Sequence, residues 1–206
     1  MRSFYFVSLL LIASLLACEN RTGDALPILG ETTVDEKTGN VVYYQAPAFS
    51  FTDQLNQTIS NADFDGKVYV VDFFFTSCPT ICPKMTNHLK RVQDHFEDEK
   101  GVGIISYSID PEHDTPERLS AYADHYGIDQ AKWSLLTGAD TEIFEIAKDY
   151  KVMAFDDGTQ HQPSLIHDGT FVLVDDKRRI RGYYNGLDDT EVTRLISDIE
   201  WLLESI

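Results

Sequence analysis

A buried strand that runs directly into a pair of cysteines constrains the fold of this chain more than any other feature. Residues 67–75 read KVYVVDFFF, and such a nearly continuous run of β-branched and aromatic residues is typical of a central strand covered on both faces. Cys78 and Cys82 follow, and apolar residues at helical spacing then predict a helix over residues 83–96. Because Pro83 suits the first turn of a helix and disfavours helical conformation at the residue before it, we expect the helix to begin there. Both sulfurs would then lie in the loop before the helix.

Strand and helix patterns alternate along the rest of the chain. Further strands are expected at residues 103–108, 133–136, 171–174 and 179–184, and residues 175–178 are expected to join the last two as a hairpin. Helices are expected between and after these strands, with three N-cap residues: Thr115, Asp140 and Asp188. Glu191 would complete a capping box with Asp188. This order predicts an α/β domain with a mixed central sheet flanked by helices.

The N-terminus has the pattern of an export signal. Arg2 precedes an apolar run, residues 4–17, that is well short of the roughly 20 residues that span a bilayer as a helix, as in the h-region of a secretory signal. The run ends in Leu-Leu-Ala before Cys18, which resembles the lipobox of bacterial lipoproteins. That resemblance implies a signal peptide over residues 1–17 and a lipid on Cys18. An uncleaved anchor is the alternative, and both interpretations place the domain outside the cytoplasm, facing the periplasm or the cell exterior.

The mature chain is expected to divide into a tether and one domain. Residues 18–45 contain few large apolar residues and no periodicity, so we expect a flexible tether between lipid and domain. Residues 46–206 are then of a suitable length for a single domain.

The charge of the chain excludes one class of partner. Thirty-four acidic residues stand against 17 Lys plus Arg, a formal net charge of −17, and the basic residues are scattered. A chain of this kind offers no surface for nucleic acid, whose binding depends on clustered Lys and Arg. Its negative charge instead suits electrostatic steering toward a basic patch on another protein.

The cysteines indicate chemistry rather than structural cross-linking. With Cys18 assigned to lipid, only Cys78 and Cys82 remain. A disulfide between them would close a loop too short to remove much entropy from the unfolded chain. The expected position before a helix N-terminus favours thiolate over thiol. Two such thiolates can chelate a soft metal ion or close a disulfide when oxidised.

Three sequence segments together resemble the Sco/SenC family, over residues 46–206. They are TSCPTICPKM at residues 76–85, SIDPEHDTPERL at residues 108–119, and a late histidine, His167, that precedes VLVD. Members of that family are thioredoxin-fold copper proteins of cytochrome c oxidase assembly. The resemblance implies copper, Cu(I) or Cu(II), bound by both motif cysteines and by His167, which stands eight residues before Asp175.

Two further residues bear on this copper site, one as a rival ligand and one as a difference from the family pattern. His161 lies on the same predicted loop as His167 and is the rival ligand, but a position at the start of a strand is fixed more rigidly than one within a loop. Thr80 stands where many members of the family have an acidic residue, a difference that would alter the charge of the site. Thr80 is not a ligand in the family scheme.

The resemblance implies a membrane-anchored metallochaperone. Such a protein delivers copper to the binuclear copper centre of the copper-bearing subunit of cytochrome c oxidase, and it can also reduce the cysteines of that subunit. Another copper chaperone or a thiol reductant would be a further partner.

A thiol-disulfide oxidoreductase that cycles Cys78 and Cys82 is the alternative function. Thioredoxin-like oxidoreductases have two residues between their cysteines, often tryptophan before them, and a cis-proline before the facing strand. Here three residues separate the cysteines, Ser77 precedes them, and Gly169-Thr170 stands at the proline position. A peroxiredoxin-type peroxidase is excluded, because Phe75 and Val71 occupy the positions of its threonine and proline.

The remaining polar residues near these motifs receive structural interpretations. His88 and His95 are expected to be surface residues of the helix that follows the cysteines. Asp110 and Asp114 are expected to cap and turn the chain rather than to take part in chemistry.

Overall fold

The computed structural model describes residues 25–156 and 165–206. These residues form eleven strands, four α-helices and one 3₁₀ turn at Asn61–Phe64. The strands are β1 (Thr32–Val34), β2 (Val41–Tyr43), β3 (Ser50–Asp53), β4 (Thr58–Ser60), β5 (Val68–Phe74), β6 (Val102–Ser108), β7 (Trp133–Thr137), β8 (Ala154–Asp156), β9 (Leu165–His167), β10 (Thr170–Val174) and β11 (Ile180–Asn185). The helices are α1 (Cys82–His95), α2 (Pro116–Tyr126), α3 (Asp140–Asp149) and α4 (Asp189–Leu203).

A seven-stranded mixed sheet forms the centre of the domain. Its strand order is β11-β10-β5-β6-β7-β3-β4, with β5, β6 and β7 parallel and the outer strands antiparallel. The predicted α/β class and the mixed central sheet are confirmed. The predicted hairpin also forms, since β10 and β11 pair antiparallel around the turn at Asp175.

Strand β5 is buried on both faces, as its composition predicts. Val70 and Phe74 pack into the core on the side of α1, α2 and α4. Tyr69 and Val71 pack on the opposite side, against α3. Successive side chains of a strand point to opposite faces, so Asp72 shares the face of Val70 and Phe74. A carboxyl group therefore lies within the core beneath α1.

The predicted N-cap residues agree with the structure in two of three cases. The Thr115 hydroxyl accepts a hydrogen bond from the Arg118 N–H at 3.4 Å, and Asp188 accepts from two N–H groups in the first turn of α4. The third prediction is wrong, because Asp140 is the first residue of α3 rather than its N-cap. The predicted capping box does not form, because the Glu191 carboxylate accepts hydrogen bonds from Arg194 and the Asp188 N–H donates to the Asn185 carbonyl at 3.0 Å.

The chain before the main domain contains structure that the composition does not predict. Strands β1 and β2, within the expected tether of residues 18–45, pair as an antiparallel hairpin. Neighbouring residues are also hydrogen-bonded to the domain. The Arg181 Nε donates to the Pro27 carbonyl at 3.0 Å, and the Tyr44 hydroxyl donates to the Asp149 carbonyl at 2.9 Å.

The expected signal peptide, residues 1–17, and the expected lipidation site Cys18 lie outside the described residues. Among the helices of residues 25–156 and 165–206, none has the length and apolar character that crossing a bilayer requires.

Candidate metal centre

The two cysteines lie where β5 ends and α1 begins. Cys78 is in the connecting loop, where its N–H donates to the Phe75 carbonyl at 3.3 Å. Cys82 is the first residue of α1, one position before Pro83, so the predicted helix start is wrong by one residue. The two cysteines are not joined in a disulfide; Cys78 is 8% exposed and Cys82 1%. Only Cys78 therefore has an appreciable path to solvent.

The two thiols differ in acidity. Burial raises the pKa of the Cys82 thiol well above its ordinary value, and its hydrogen bond with Cys78 raises it further. Burial also raises the pKa of the Cys78 thiol, but hydrogen bonds from the Cys82 thiol and from backbone N–H groups outweigh it and lower that pKa. The Thr80 hydroxyl, 3.6 Å from the Cys78 Sγ, contributes to the lowering. The sequence predicts thiolate at both positions, whereas the structure favours it at Cys78 alone.

This asymmetry predicts which cysteine reacts first. In the reduced, metal-free protein at about pH 8, iodoacetamide should alkylate Cys78 more than about tenfold faster than Cys82, because the thiolate is the nucleophile. Peptide mapping by mass spectrometry after a limiting dose measures the ratio. In Cys78→Ser the fast phase should disappear. Equal labelling of both positions in the wild type would contradict the assignment.

The chain two residues after His167 lies close to the first turn of α1. His167 is the last residue of β9, where it pairs with Ala154 of β8. Gly169 follows in a left-handed conformation, φ +75°, and a Cβ atom placed on it would lie 3.7 Å from the Met85 Sδ. Met85 is one helical turn beyond Cys82 in α1. The His167 side chain and the whole of His161 lie outside the described residues.

Among the described side chains, no group of three or more His, Cys, Asp or Glu residues is arranged to hold a metal ion. The described part of the site is therefore the cysteine pair, and His167 as the third ligand stays a prediction.

One of the two α1 histidines does not lie on the surface. His88 is 7% exposed; its Nδ1 lies 2.8 Å from the Gly186 carbonyl, and its Nε2 lies 3.4 Å from the Asp189 carboxylate. The expected surface position is wrong for this residue, because the loop before α4 covers it. His95 is exposed as expected, and its Nε2 lies 2.8 Å from the Glu200 carboxylate. Neither histidine is directed at the cysteines by these contacts.

Two buried carboxyl groups near the cysteines were missed as functional candidates. Asp72 lies in β5 on the face covered by α1, and Asp114 contacts the cysteine loop at Thr76. A polar residue inside the run of β5 is the sequence signal for the first. The second carries no local signal, because its contact joins residues 38 positions apart.

The fold and the site together define a class of protein. A mixed sheet with helices on both faces and a cysteine pair between a central strand and the next helix is the arrangement of a thioredoxin-like dithiol protein. The family model described as SCO1/SenC matches residues 40–204 of the chain. A SCO1 protein homolog from Bacillus subtilis is 36% identical over 160 residues, which cover 76% of this chain and 82% of that protein.

Solved structures agree with this relationship. A SCO1/SenC family lipoprotein from Bacillus anthracis is 32% identical, with a TM-score of 0.71 over 78% of this chain and 95% of that one. BsSco, described as a member of the Sco family of cytochrome c oxidase assembly proteins with a disulfide switch, is 35% identical. Its TM-score is 0.66 over 76% of this chain and 92% of that one. The chain belongs to the SCO1/SenC family.

Proposed function

We propose that this protein is a metallochaperone that binds one copper ion through Cys78, Cys82 and His167. The observation that supports it most is the pair of hydrogen-bonded thiols, not joined in a disulfide, at the β5–α1 junction of a SCO1/SenC family member. Soft sulfur ligands suit Cu(I) and an imidazole suits Cu(II), so this donor set can serve both oxidation states. Structural zinc sites usually have four protein ligands, one more than is proposed here.

Relatives support copper as the metal. ScoI from Arabidopsis thaliana and ScoI from Bradyrhizobium japonicum have been solved with copper bound. They are 22% and 23% identical to this chain, a level at which the likeness concerns the fold. The case for copper therefore depends on the donors of this chain and on its membership of the family.

The proposed recipient is the copper-bearing subunit of cytochrome c oxidase. Copper would be the cargo, held by the two thiolates and the imidazole until it passes to the binuclear centre of that subunit. The same dithiol can reduce the cysteines of the recipient. Loading requires reduced cysteines, which makes a thiol reductant or another copper chaperone a further partner.

A lipid on Cys18 is proposed to hold the domain at a bacterial membrane, facing the periplasm or the cell exterior. A single acyl chain holds a protein only weakly at a membrane, and lipoproteins are anchored stably by more than one acyl chain. Mass spectrometry of the N-terminal peptide from membranes tests this: a lipid-modified Cys18 is expected, and an unmodified peptide that begins before Cys18 would contradict it.

A titration with Cu(II) tests the ligand set. The reduced protein should develop strong thiolate-to-copper charge-transfer absorption that saturates at one equivalent, and His167→Ala should lose or displace the band. His125→Ala is the matched control, because His125 is exposed on α2 and the proposal gives it no role. A wild-type protein without charge-transfer absorption, or an unchanged band in His167→Ala, would contradict the proposed site.

Thiol-disulfide exchange is the second candidate function. The observation in its favour is the pairing of a more acidic, partly accessible Cys78 with a fully buried Cys82 whose pKa is raised. Attack on a substrate disulfide requires such a thiolate, and the second thiol then resolves the mixed disulfide. If the copper titration fails, reduction of a protein disulfide by the reduced dithiol is the activity to measure.

A further inference from the structure

A buried carboxylate fastens the cysteine loop to the segment between β6 and α2. Asp114 is fully buried. Its Oδ2 accepts a hydrogen bond from the Thr76 backbone N–H at 3.0 Å, and its Oδ1 accepts a short hydrogen bond from the Thr76 hydroxyl. Thr76 stands two residues before Cys78. One side chain thus holds both the backbone and the side chain of the loop that carries the first cysteine.

Neighbouring polar groups fix the carboxylate itself. The Ser108 hydroxyl, at the end of β6, donates to the Asp114 Oδ2 at 2.6 Å. The Arg118 Nε donates to the Thr76 hydroxyl oxygen at 2.7 Å and lies 3.8 Å from the Asp114 Oδ1. The buried carboxylate therefore accepts hydrogen bonds from three donors, and such bonds are stronger in a protein interior than at a surface. The sequence assigns Asp114 to capping and turning the chain, and these contacts extend its role to the cysteine loop.

We propose that Asp114 is a positioning residue that holds Cys78 against Cys82. The connection is short: Asp114 accepts a hydrogen bond from the Thr76 N–H, and the N–H of Cys78, two residues later, donates to the Phe75 carbonyl. A loop fixed before Cys78 and continued by α1 at Cys82 restricts both sulfurs to one arrangement. The conformational entropy of the pair is then already lost before a disulfide forms or a metal binds. This inference concerns the cysteines of the proposed function, but it can be tested without copper.

An asparagine at this position cannot reproduce the arrangement. One oxygen of Asp114→Asn can still accept from the Thr76 N–H and from Ser108. The amide nitrogen, however, would face the Thr76 hydroxyl, which already accepts from Arg118 and donates to the carboxylate. The variant leaves the Thr76 O–H without the carboxylate as its acceptor and removes the negative charge beside Arg118, so the cysteine loop gains freedom.

The equilibrium constant for forming the Cys78–Cys82 disulfide with oxidised glutathione measures how freely the cysteine loop moves. In the reaction, the S–S bond of oxidised glutathione breaks, a bond forms between Cys78 Sγ and Cys82 Sγ, and both thiol protons pass to two molecules of reduced glutathione. We expect Asp114→Asn to lower the equilibrium constant for disulfide formation at least about tenfold, a change of about 30 mV in the two-electron potential. A wild-type equilibrium constant in the variant, or a raised one, would overturn the proposal.

Two further variants separate positioning from folding. Thr76→Val removes the hydroxyl and keeps the backbone N–H bond to Asp114, so the constant should fall in the same direction; no fall would count against the proposal. Asp53→Asn is the matched control, because buried Asp53 accepts N–H bonds from Leu55 and Gln57 in the β3–β4 turn. Asp53→Asn keeps an oxygen for both bonds and removes the charge of a buried carboxylate in another loop, so it should keep the wild-type constant. An equal fall in Asp53→Asn would mean that the effect of Asp114→Asn is not specific to the cysteine loop.

The glutathione equilibrium is measured without metal, so it tests the positioning role of Asp114 separately from the proposed copper binding. If the wild type binds no copper but Asp114→Asn shifts the glutathione equilibrium, the proposed function fails and the positioning role holds. If copper binds as proposed and the glutathione equilibrium is unchanged in Asp114→Asn, the positioning role fails alone.

Discussion

Oxidation of Cys78 and Cys82 to a disulfide is expected to lower the affinity for copper at least about 100-fold. Loss of an outer-sphere partner of a metal ligand already lowers metal affinity about 10- to 100-fold, and oxidation removes two proposed ligands directly. The sulfurs of a disulfide carry no negative charge and have no proton to release, whereas copper binding requires deprotonated thiols. The two thiols of the structure, hydrogen-bonded to each other and not joined in a disulfide, are suitably placed for either state.

Competition with a copper chelator of known affinity measures this difference. The apparent dissociation constants of the reduced and the oxidised protein should differ by the expected factor, and a reductant should restore tight binding to the oxidised sample. Cys78→Ser is the control, since it cannot form the disulfide. Its affinity should be low and the same under both conditions. Equal affinity in the oxidised and reduced wild type would refute the site with two cysteines and one histidine.

Such a difference would link copper uptake to the redox state of the compartment. In the proposed location outside the cytoplasm the dithiol would tend to be oxidised, because disulfides persist there. The protein would then take up copper only after a thiol reductant had acted on it. The disulfide switch identified in BsSco is described for that protein, and the titration would decide whether the present chain behaves in the same way.

The elements that the sequence predicts well are those whose pattern is local. The run in β5, the helical spacing in α1 and the threonine–proline start of α2 each lie within a few consecutive residues, and each element forms. Strands β3 and β4 were missed, because four and three residues are too few to establish a period of two. Hairpin β1–β2 was missed for the same reason, and its valines are exposed rather than part of the core.

The parts of the site that could not be predicted depend on contacts between distant segments. The helical pattern of α1 does not predict that the His88 ring lies against the Gly186 carbonyl, which is 98 residues away in the sequence. The different acidities of Cys78 and Cys82 depend on burial, which a motif does not specify. By contrast, the cysteine pair and its place between strand and helix are local features, and they were predicted to within one residue.

The second large effect is expected at Asp72, which should make the stability of the protein fall as the pH rises. Asp72 is 2% exposed, and the Ser106 hydroxyl, which also accepts from the Trp133 Nε1 at 2.8 Å, donates to its carboxyl group. Burial raises the pKa of Asp72 to about 7, and the hydrogen bond from Ser106 offsets only part of this. The folded state therefore binds one more proton than the unfolded state between about pH 4 and pH 7. In that window the free energy of unfolding falls as the pH rises.

Asp72→Asn removes this titration. The difference between wild type and variant therefore measures how much the titration of Asp72 contributes to the free energy of unfolding. The shift corresponds to about 4 kcal/mol in full, of which about 2.5 kcal/mol should develop between pH 5 and pH 8. Urea unfolding of the reduced wild type and variant across this range gives the difference in the free energy of unfolding. That difference should move in favour of the variant as the pH rises.

Asp175→Asn is a control of opposite sign. Burial raises the pKa of Asp175, but hydrogen bonds from Arg179 and Arg181 outweigh burial and lower it below its ordinary value. The ionised Asp175 therefore stabilises the folded state, and that contribution is lost only as the pH falls through the lowered pKa. Between pH 5 and pH 8 the wild-type and Asp175→Asn curves should run parallel. If the Asp72→Asn curve also ran parallel to the wild type, Asp72 would not carry a proton in the folded protein at neutral pH. The carboxyl group beneath α1 would then be a permanent negative charge on the cysteine side of the sheet. This charge raises the pKa of Cys82 and would therefore disfavour the thiolate at that position.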